Sequence, residues 1–175
     1  MNTIQAILSR TSVRKFQNTP ISEEKLEVIL KAGTAGPSAV NARPWSFLVV
    51  RGRETLDKMA QANGRAAGSL KEAAVGILVC GDLERAFSRA PDYWVIDCAI
   101  AAQNMLLVAH DLGLGGVWLG TWPQEDKIAA QRALFSLPET IVPHSILALG
   151  IPAETPSDKP RESTWAPERI HYETW

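Results

Sequence analysis

The chain has 175 residues, and its 18 Lys and Arg against 19 Asp and Glu give a formal net charge of −1. This length suits one compact domain with a substantial core, and an apolar content of 46% excludes wholesale disorder. The near-neutral charge argues against a dedicated nucleic-acid binder. No segment approaches the roughly 18 uncharged apolar residues that a membrane span requires.

The cysteines and the first ten residues bear on the compartment. Cys80 and Cys98 stand alone in apolar surroundings and form neither a C-x-x-C pair nor a disulfide framework, which suits a reducing environment. Residues 1–10 lack the apolar core of a signal peptide. We therefore expect a soluble cytoplasmic protein that binds neither membranes nor nucleic acid.

The elements expected in the first half follow from caps and apolar spacing. Ser22 is placed as the N-cap of a helix that stops at Gly33. Residues 34–45 carry turn chemistry and predict a loop. The apolar runs 47–50 and 75–80 predict strands, with a surface helix over 55–62 between them.

Residues 92–112 predict the central element of the fold. Their apolar side chains cover more than one face, as expected of a buried helix, and Gly113 ends it. A strand over 115–120 follows, then a helix that begins with Pro123 and reaches about Leu134. Residues 144–151 predict the last strand.

The composition changes after residue 152. Four prolines make helix or central strand unfavourable in the tail, yet it contains Trp165, Ile170, Tyr172 and Trp175. Disordered tails are usually poor in aromatic residues. We therefore expect a single domain over residues 1–152 and an arm over 153–175 that packs on its own domain or on a partner subunit.

The common catalytic motifs are not found. Residues 113–116 lack G-x-G-x-x-G spacing and end a helix, and Ser38 lacks the second glycine of a nucleophile elbow. His110, His144 and His171 have no metal-ligand spacing, so no metal site is expected. Cys98 is interpreted as a small core residue. The sequence thus predicts no catalytic nucleophile or triad.

Several separated segments suit a flat cofactor that carries a phosphate. In an extended segment Arg10, Ser12 and Arg14 point the same way, and arginine binds phosphate bidentately. Residues 159–161 (KPR) offer a second basic pair, and Ser38 and Asn41 add short polar groups. The glycines at 115, 116 and 120 would let backbone approach a ring. Taken singly, each segment fits equally a solvated pair, a salt-bridged surface or packing glycines.

The order of these segments resembles the FMN-dependent nitroreductase family over nearly the whole chain. Residues 10–16 (RTSVRKF) followed by Pro20 are similar to its R-x-S-x-R-x-F…P start. Residues 36–47 (GPSAVNARPWSF) are similar to its P-S-x-x-N-x-Q-P-W-x-F loop. Residues 97–107 (DCAIAAQNMLL) resemble its central helix, which leads into 113–120 (GLGGVWLG).

The resemblance implies an α+β fold, with helices flanking a mixed β-sheet and a buried central helix. It also implies an intertwined homodimer with an extended C-terminal arm and FMN sites at the dimer interface. The residues expected to hold the phosphate and ribityl chain are Arg10, Thr11, Ser12, Arg14, Lys159 and Arg161. Those expected to approach the ring from the other subunit are Pro37, Ser38 and Asn41, whereas Leu119 and Gly120 would place backbone near the flavin N5.

Two features separate this chain from the family pattern. Arg43 stands where the family usually has Gln, and it either stabilises negative charge on the flavin or points to solvent. The segment 81–93 holds no long helical insertion, which suggests an open substrate pocket. Phe87, Tyr93 and Trp94 either line that pocket or belong to the core or an interface.

The resemblance therefore implies an oxidoreductase that uses FMN, with NADH or NADPH as electron donor and a nitroaromatic, a quinone or a similar small molecule as acceptor. Because one open face of the ring would serve both donor and acceptor, ping-pong kinetics are expected. The alternatives are a flavin dehydrogenase of the same fold with a specialised substrate and a flavin-binding protein without turnover.

Overall fold

Helices and strands follow one another in an α+β order. The computed structural model describes residues 1–157, 159 and 165–175. The elements are α1 (Thr3–Ser9), α2 (Glu23–Thr34), β1 (Trp45–Val50), α3 (Arg53–Asn63), β2 (Val75–Asp82), α4 (Tyr93–Asp111), β3 (Gly115–Gly120), α5 (Glu125–Phe135) and β4 (Ile141–Gly150). Short 3₁₀ turns lie at Ala39–Asn41, Arg65–Lys71 and Pro167–Arg169.

The four strands form one sheet in the order β1-β2-β4-β3. All three strand pairs are antiparallel, so the mixed character expected of the sheet is confined to an isolated parallel bridge between Ser12 and Gly116. A register shift interrupts the β2–β4 pair at Val79 and Cys80, where Pro143 lies opposite Cys80. Since proline has no N–H to donate, this irregularity accommodates it within an interior strand.

Helices cover both faces of the sheet. Alternate residues of β2 point to opposite sides, so that Ile77 and Val79 join the core beneath α2 and α4 whereas Leu78 and Cys80 join the core beneath α3 and α5. The strand is therefore apolar throughout, as the run 75–80 predicts.

The central helix α4 packs one face on the sheet. Its buried residues recur at helical spacing: Trp94, Asp97, Cys98, Ala101, Ala102, Met105, Leu106 and Ala109. The other side is half-buried or open in the single chain, where Ile96 is 52% exposed. None of the helices among the described residues combines the length and apolarity that crossing a membrane requires.

Most predicted elements are confirmed, with small shifts at their ends. Ser22 caps α2 by accepting from the backbone N–H of Lys25, and β3 has the expected bounds. The prediction that Pro123 opens a helix is wrong: the Trp122–Pro123 bond is cis, and α5 begins at Glu125 behind Gln124. Strand β4 begins at Ile141, earlier than expected, because pairing with β2 continues past Pro143.

The arm is open in the single chain. Trp165 and Tyr172 are 71% and 83% exposed, and Trp175 stacks on His171 at the chain end. These side chains do not pack on their own domain. Packing of the arm on a partner subunit stays a prediction, as does the division at residue 152.

Candidate cofactor site at the edge of the sheet

The segment that carries Arg10 and Arg14 lies along the open edge of β3. The backbone N–H of Val13 donates to the carbonyl oxygen of Gly116 at 3.0 Å. A Cβ at Gly115 would lie 2.7 Å from the Val13 side chain, so only glycine permits this approach. The basic segment is thereby fixed to the strand that ends at Gly120.

A groove of about 410 Å³ runs beside this segment. One side is formed by Thr11, Val13, Arg14 and Lys15, and the other by residues 153–156. The two sides are joined where the N–H of Ala153 donates to the carbonyl of Lys15 at 3.0 Å. Because Arg14 and Lys15 are exposed and cationic, the groove suits an anionic group.

The late basic pair follows this groove along the chain. Lys159 is exposed, and its N–H donates to Ser157 Oγ at 3.2 Å. Arg161 lies outside the described residues, so its expected phosphate contact stays a prediction. The groove residues 153–156 lead directly towards both positions.

Glycine has different roles along β3. A Cβ at Gly120 would meet no heavy atom within 4 Å, so the end of the strand is open. A Cβ at Gly116 would instead lie 2.8 Å from Leu106 and Leu149. The expectation that Gly115 and Gly116 approach a ring is therefore wrong, since both are packing glycines. Leu119 buries its side chain in the core and pairs with Ile146, leaving its backbone alone for a ligand.

The loop before β1 is held in an unusual conformation. Val40, Asn41 and Arg43 all have positive φ, between 46° and 58°. Ser38 Oγ accepts from the N–H of Arg43 at 2.9 Å, and Asn41 Oδ1 accepts from Arg43 Nε at 2.8 Å. Left-handed backbone in a β-branched residue is costly and clusters at functional sites.

The same loop is anchored from α4. Asp97 is 2% exposed, and its Oδ1 accepts from the N–H of Ala39 at 3.0 Å. Within the described residues, Oδ2 of Asp97 is buried without a hydrogen-bond partner. The sequence analysis does not assign Asp97 a role, although a lone carboxylate in an apolar helix was a usable signal.

One chain does not bring its two predicted groups together. Pro37, Ser38, Asn41 and Arg43 precede β1, whereas Arg10–Arg14 lie along β3 at the opposite edge. Two strands separate these edges, which places them roughly 14 Å apart. Of the other cations singled out, Arg51 pairs with Glu23 and Arg53 donates to the carbonyls of residues 70, 71 and 73, so neither belongs to the site.

The cysteines and histidines are not set up for nucleophilic or acid–base chemistry. Burial raises the pKa of the Cys80 thiol to about 12 and raises the pKa of Cys98 further. Burial also lowers the pKa of His144 to about 4. The pKa of His110 is lowered by burial and by the nearby charge of Arg10, and its Nε2 lies 2.8 Å from Ser9 Oγ.

The aromatic residues before and within α4 separate into different roles. Trp94 is buried, packs on Gly81 and makes edge contacts with Trp122 and His144, which assigns it to the core. Tyr93 is exposed and Phe87 half-buried, so a pocket role for these two stays a prediction. In the part of the chain that the structure describes, no group of three or more His, Cys, Asp or Glu side chains could hold a metal ion.

Comparison with known proteins decides the family. The profile of the Nitroreductase family matches residues 7–78 and 63–151. The chain belongs to the nitroreductase family. It is 46% identical over 175 residues to a protein of Methanothermobacter thermautotrophicus provisionally named as an NADH dehydrogenase/NAD(P)H nitroreductase, covering 100% of this chain and 88% of that one.

Solved structures of other nitroreductases share the fold. An FMN-dependent nitroreductase from Clostridium difficile has a TM-score of 0.90 and 27% identity, with 99% of this chain and 100% of that chain covered. The NADPH:FMN oxidoreductase from Vibrio harveyi, solved with NAD⁺, has a TM-score of 0.85 and 31% identity, with 100% and 78% covered. The α+β architecture expected from the sequence is thereby confirmed.

Proposed function

We propose that this nitroreductase binds FMN, takes two electrons from NADH or NADPH, and passes them to a nitroaromatic, a quinone or a similar small acceptor. The observation that carries the proposal is the edge of β3. There the cationic groove beside Arg14 and the open backbone of Gly120 lie along the same strand, one suited to a phosphate and the other to a flat ring. The relatives named for FMN and NAD(P)H support this proposal.

The residues present fit FMN. Arg14 and Lys15 supply positive charge at an accessible groove, and the Ser12 hydroxyl lies between Arg10 and Arg14 in the same segment. Charge-assisted hydrogen bonds from such groups hold a phosphate. Lys159 and Arg161 would add to this clamp. At the other end of β3, the space where a Cβ of Gly120 would project is free for a ring system.

The chemistry divides between cofactor and protein. Bound FMN would supply the electron-accepting ring, with hydride transfer at its N5. The protein binds the phosphate, orients the ring against Gly120 and limits its exposure to water. No cysteine is required as nucleophile, since burial raises the pKa of both Cys80 and Cys98.

A partner subunit would complete the site. The loop that carries Pro37, Ser38 and Asn41 is shaped by its own hydrogen bonds but lies at the far edge of the sheet from Arg14. In a homodimer this loop and the guanidinium of Arg43 would face the ring bound by the other chain. The apolar side chains exposed on α1 and α4 are available for such an interface: Ile4, Ile7, Leu8 and Ile96.

The test begins with the visible spectrum of the purified protein. Flavin absorption that bleaches on adding NADH or NADPH under anaerobic conditions supports the proposal, and the faster nicotinamide identifies the donor. Steady-state rates with a quinone and a nitroaromatic should then give parallel double-reciprocal lines. Bound flavin that no nicotinamide reduces would instead indicate a flavin-binding protein without this activity, and intersecting lines would exclude ping-pong turnover.

A further inference from the structure

Three side chains outside the basic segment converge on one peptide group at the end of β3. Asn63, the last residue of α3, donates from Nδ2 to the carbonyl oxygen of Gly120 at 3.1 Å. Lys127 of α5 reaches the same oxygen with its Nζ at 3.4 Å. The Thr121 hydroxyl donates to Asn63 Oδ1 at 2.7 Å and thereby fixes the orientation of the Asn63 amide.

The burial of this network makes it costly to build without a purpose. Asn63 is 1% exposed and Thr121 is fully buried. Buried polar groups destabilise a core unless they are hydrogen-bonded, and a satisfied network rigidifies its surroundings. Here both polar ends of the Asn63 side chain are used, and one of them supports the backbone of a glycine.

The Gly120–Thr121 peptide is held from both sides. Its oxygen accepts from Asn63 and Lys127, while its N–H, that of Thr121, donates to the carbonyl of His144 at 3.2 Å. Glycine has more conformational freedom than any other residue, so without such contacts the strand end would sample several geometries. The network limits Gly120 to one of them.

The alternation of the strand shows which way Gly120 faces. In an antiparallel pair, successive residues direct their peptide groups to opposite edges. Gly116 offers its carbonyl to Val13 on the open side of β3, and Gly120 stands four residues later with the same parity. The N–H of Gly120 therefore points to the open side, where the flavin is proposed to lie.

We propose that Asn63 is a positioning residue for the flavin ring: with Thr121 and Lys127 it fixes the Gly120 peptide, and through it the backbone surface on which the ring rests. This inference rests on the proposed function. It assigns a binding role to a side chain that does not itself carry the cationic or turn chemistry of the site.

The test compares Asn63→Leu with Gln131→Met. Gln131 is equally buried on α5 and donates to the carbonyl of Met59 in the same helix as Asn63, but it has no contact with Gly120. Both variants lose a buried hydrogen bond and should lose similar stability. We expect Asn63→Leu alone to weaken FMN binding to the apoprotein about ten-fold, measured by quenching of FMN fluorescence, and to shift the visible spectrum of the bound flavin.

A second pair guards against misfolding of Asn63→Leu. Thr121→Val keeps the shape of the side chain but removes the hydroxyl, and it should weaken FMN binding several-fold, whereas Thr121→Ser should restore it. If Asn63→Leu and Gln131→Met change the FMN dissociation constant equally, or if Thr121→Val and Thr121→Ser behave alike, the positioning role is wrong. Failure of the parent protein to bind FMN would instead overturn the proposed function.

Discussion

The carboxylate of Asp97 on α4 accepts a hydrogen bond from the backbone N–H of Ala39, 58 positions earlier in the chain. The partner loop carries three consecutive-turn residues with positive φ, including the β-branched Val40. Such strain persists only where surrounding contacts outweigh it. The Asp97 contact thus links the interior of the central helix to the loop that is proposed to face the partner's flavin.

Replacing Asp97 tests this anchor. Asp97→Ala leaves the Ala39 N–H without its buried acceptor and should lower the free energy of unfolding by about 1–3 kcal/mol. Asp97→Asn retains an oxygen at the same place and should cost less than Asp97→Ala. Urea denaturation of the three proteins measures the difference. Equal stability of Asp97→Ala and the parent would show that the loop holds its conformation without this contact.

The phosphate clamp gives a binding prediction. Arg14→Ala should weaken FMN binding roughly ten- to a hundred-fold, because a charge-assisted hydrogen bond is worth about 1.5–3 kcal/mol. Arg161→Ala should have a similar effect if the late basic pair shares the phosphate. Lys58→Ala is the matched control, since Lys58 is an exposed cation paired with Glu54 on α3. Unchanged affinity in both arginine variants would mean that the clamp is misassigned.

Elements whose signals are local were predictable. The glycine run over 115–120 and the apolar residues of 92–112 gave β3 and α4 nearly to their observed ends, and Ser22 marked the start of α2. Their signals lie within one helix turn or one strand. Helix α1 was not predicted because it is only seven residues long and has no acidic first turn.

Roles that depend on distant partners were not predictable. The sequence offers Gly115, Gly116 and Gly120 as equals, but Val13 lies against the first, Leu106 and Leu149 against the second, and open space beside the third. Asn63 looks like an ordinary helix end, and its partner Thr121 is 58 positions away. The division of the site between two edges of the sheet follows from the strand order, which no local pattern contains.

His144 makes the stability of the fold depend on pH. Its pKa is lowered by burial from 6.5 to about 4 in the folded chain, so the unfolded chain takes up this proton at higher pH. The unfolding free energy should therefore fall as pH drops from 6.5 towards 4, by at most about 1.4 kcal/mol per pH unit from this group. His144→Gln should reduce the slope in that window. Identical slopes in denaturation series of both proteins would contradict the assignment to His144.

The arm gives a prediction on assembly. Deleting residues 165–175 leaves the groove and Lys159 in place but removes Trp165, Ile170, Tyr172 and Trp175, which are exposed in the single chain. Since each aromatic side chain can bury on the order of 150–250 Å², the shortened chain should form monomers or aggregates. Light scattering at several concentrations measures this. A shortened chain that stays dimeric and keeps its flavin would show that the arm is dispensable for the interface.

The end of β3 offers the cleanest steric test of where the ring lies. Gly120 and Gly68 both have open space where a Cβ would project, and neither requires positive φ, so valine at either position meets no protein atom. Gly68 lies in the 3₁₀ turn Arg65–Lys71, away from the basic segment. Gly120→Val should therefore retain the stability of the parent but lose most of its FMN binding or its flavin reduction by NAD(P)H, because the added methyls occupy the proposed ring position. Gly68→Val should keep both. Flavin titrations and anaerobic reduction of the two variants, with Cys98→Ala as a further control expected to stay within a few-fold of the parent rate, separate a blocked ring from a disturbed fold. If Gly120→Val binds and reduces FMN as Gly68→Val does, the ring does not rest on this strand end.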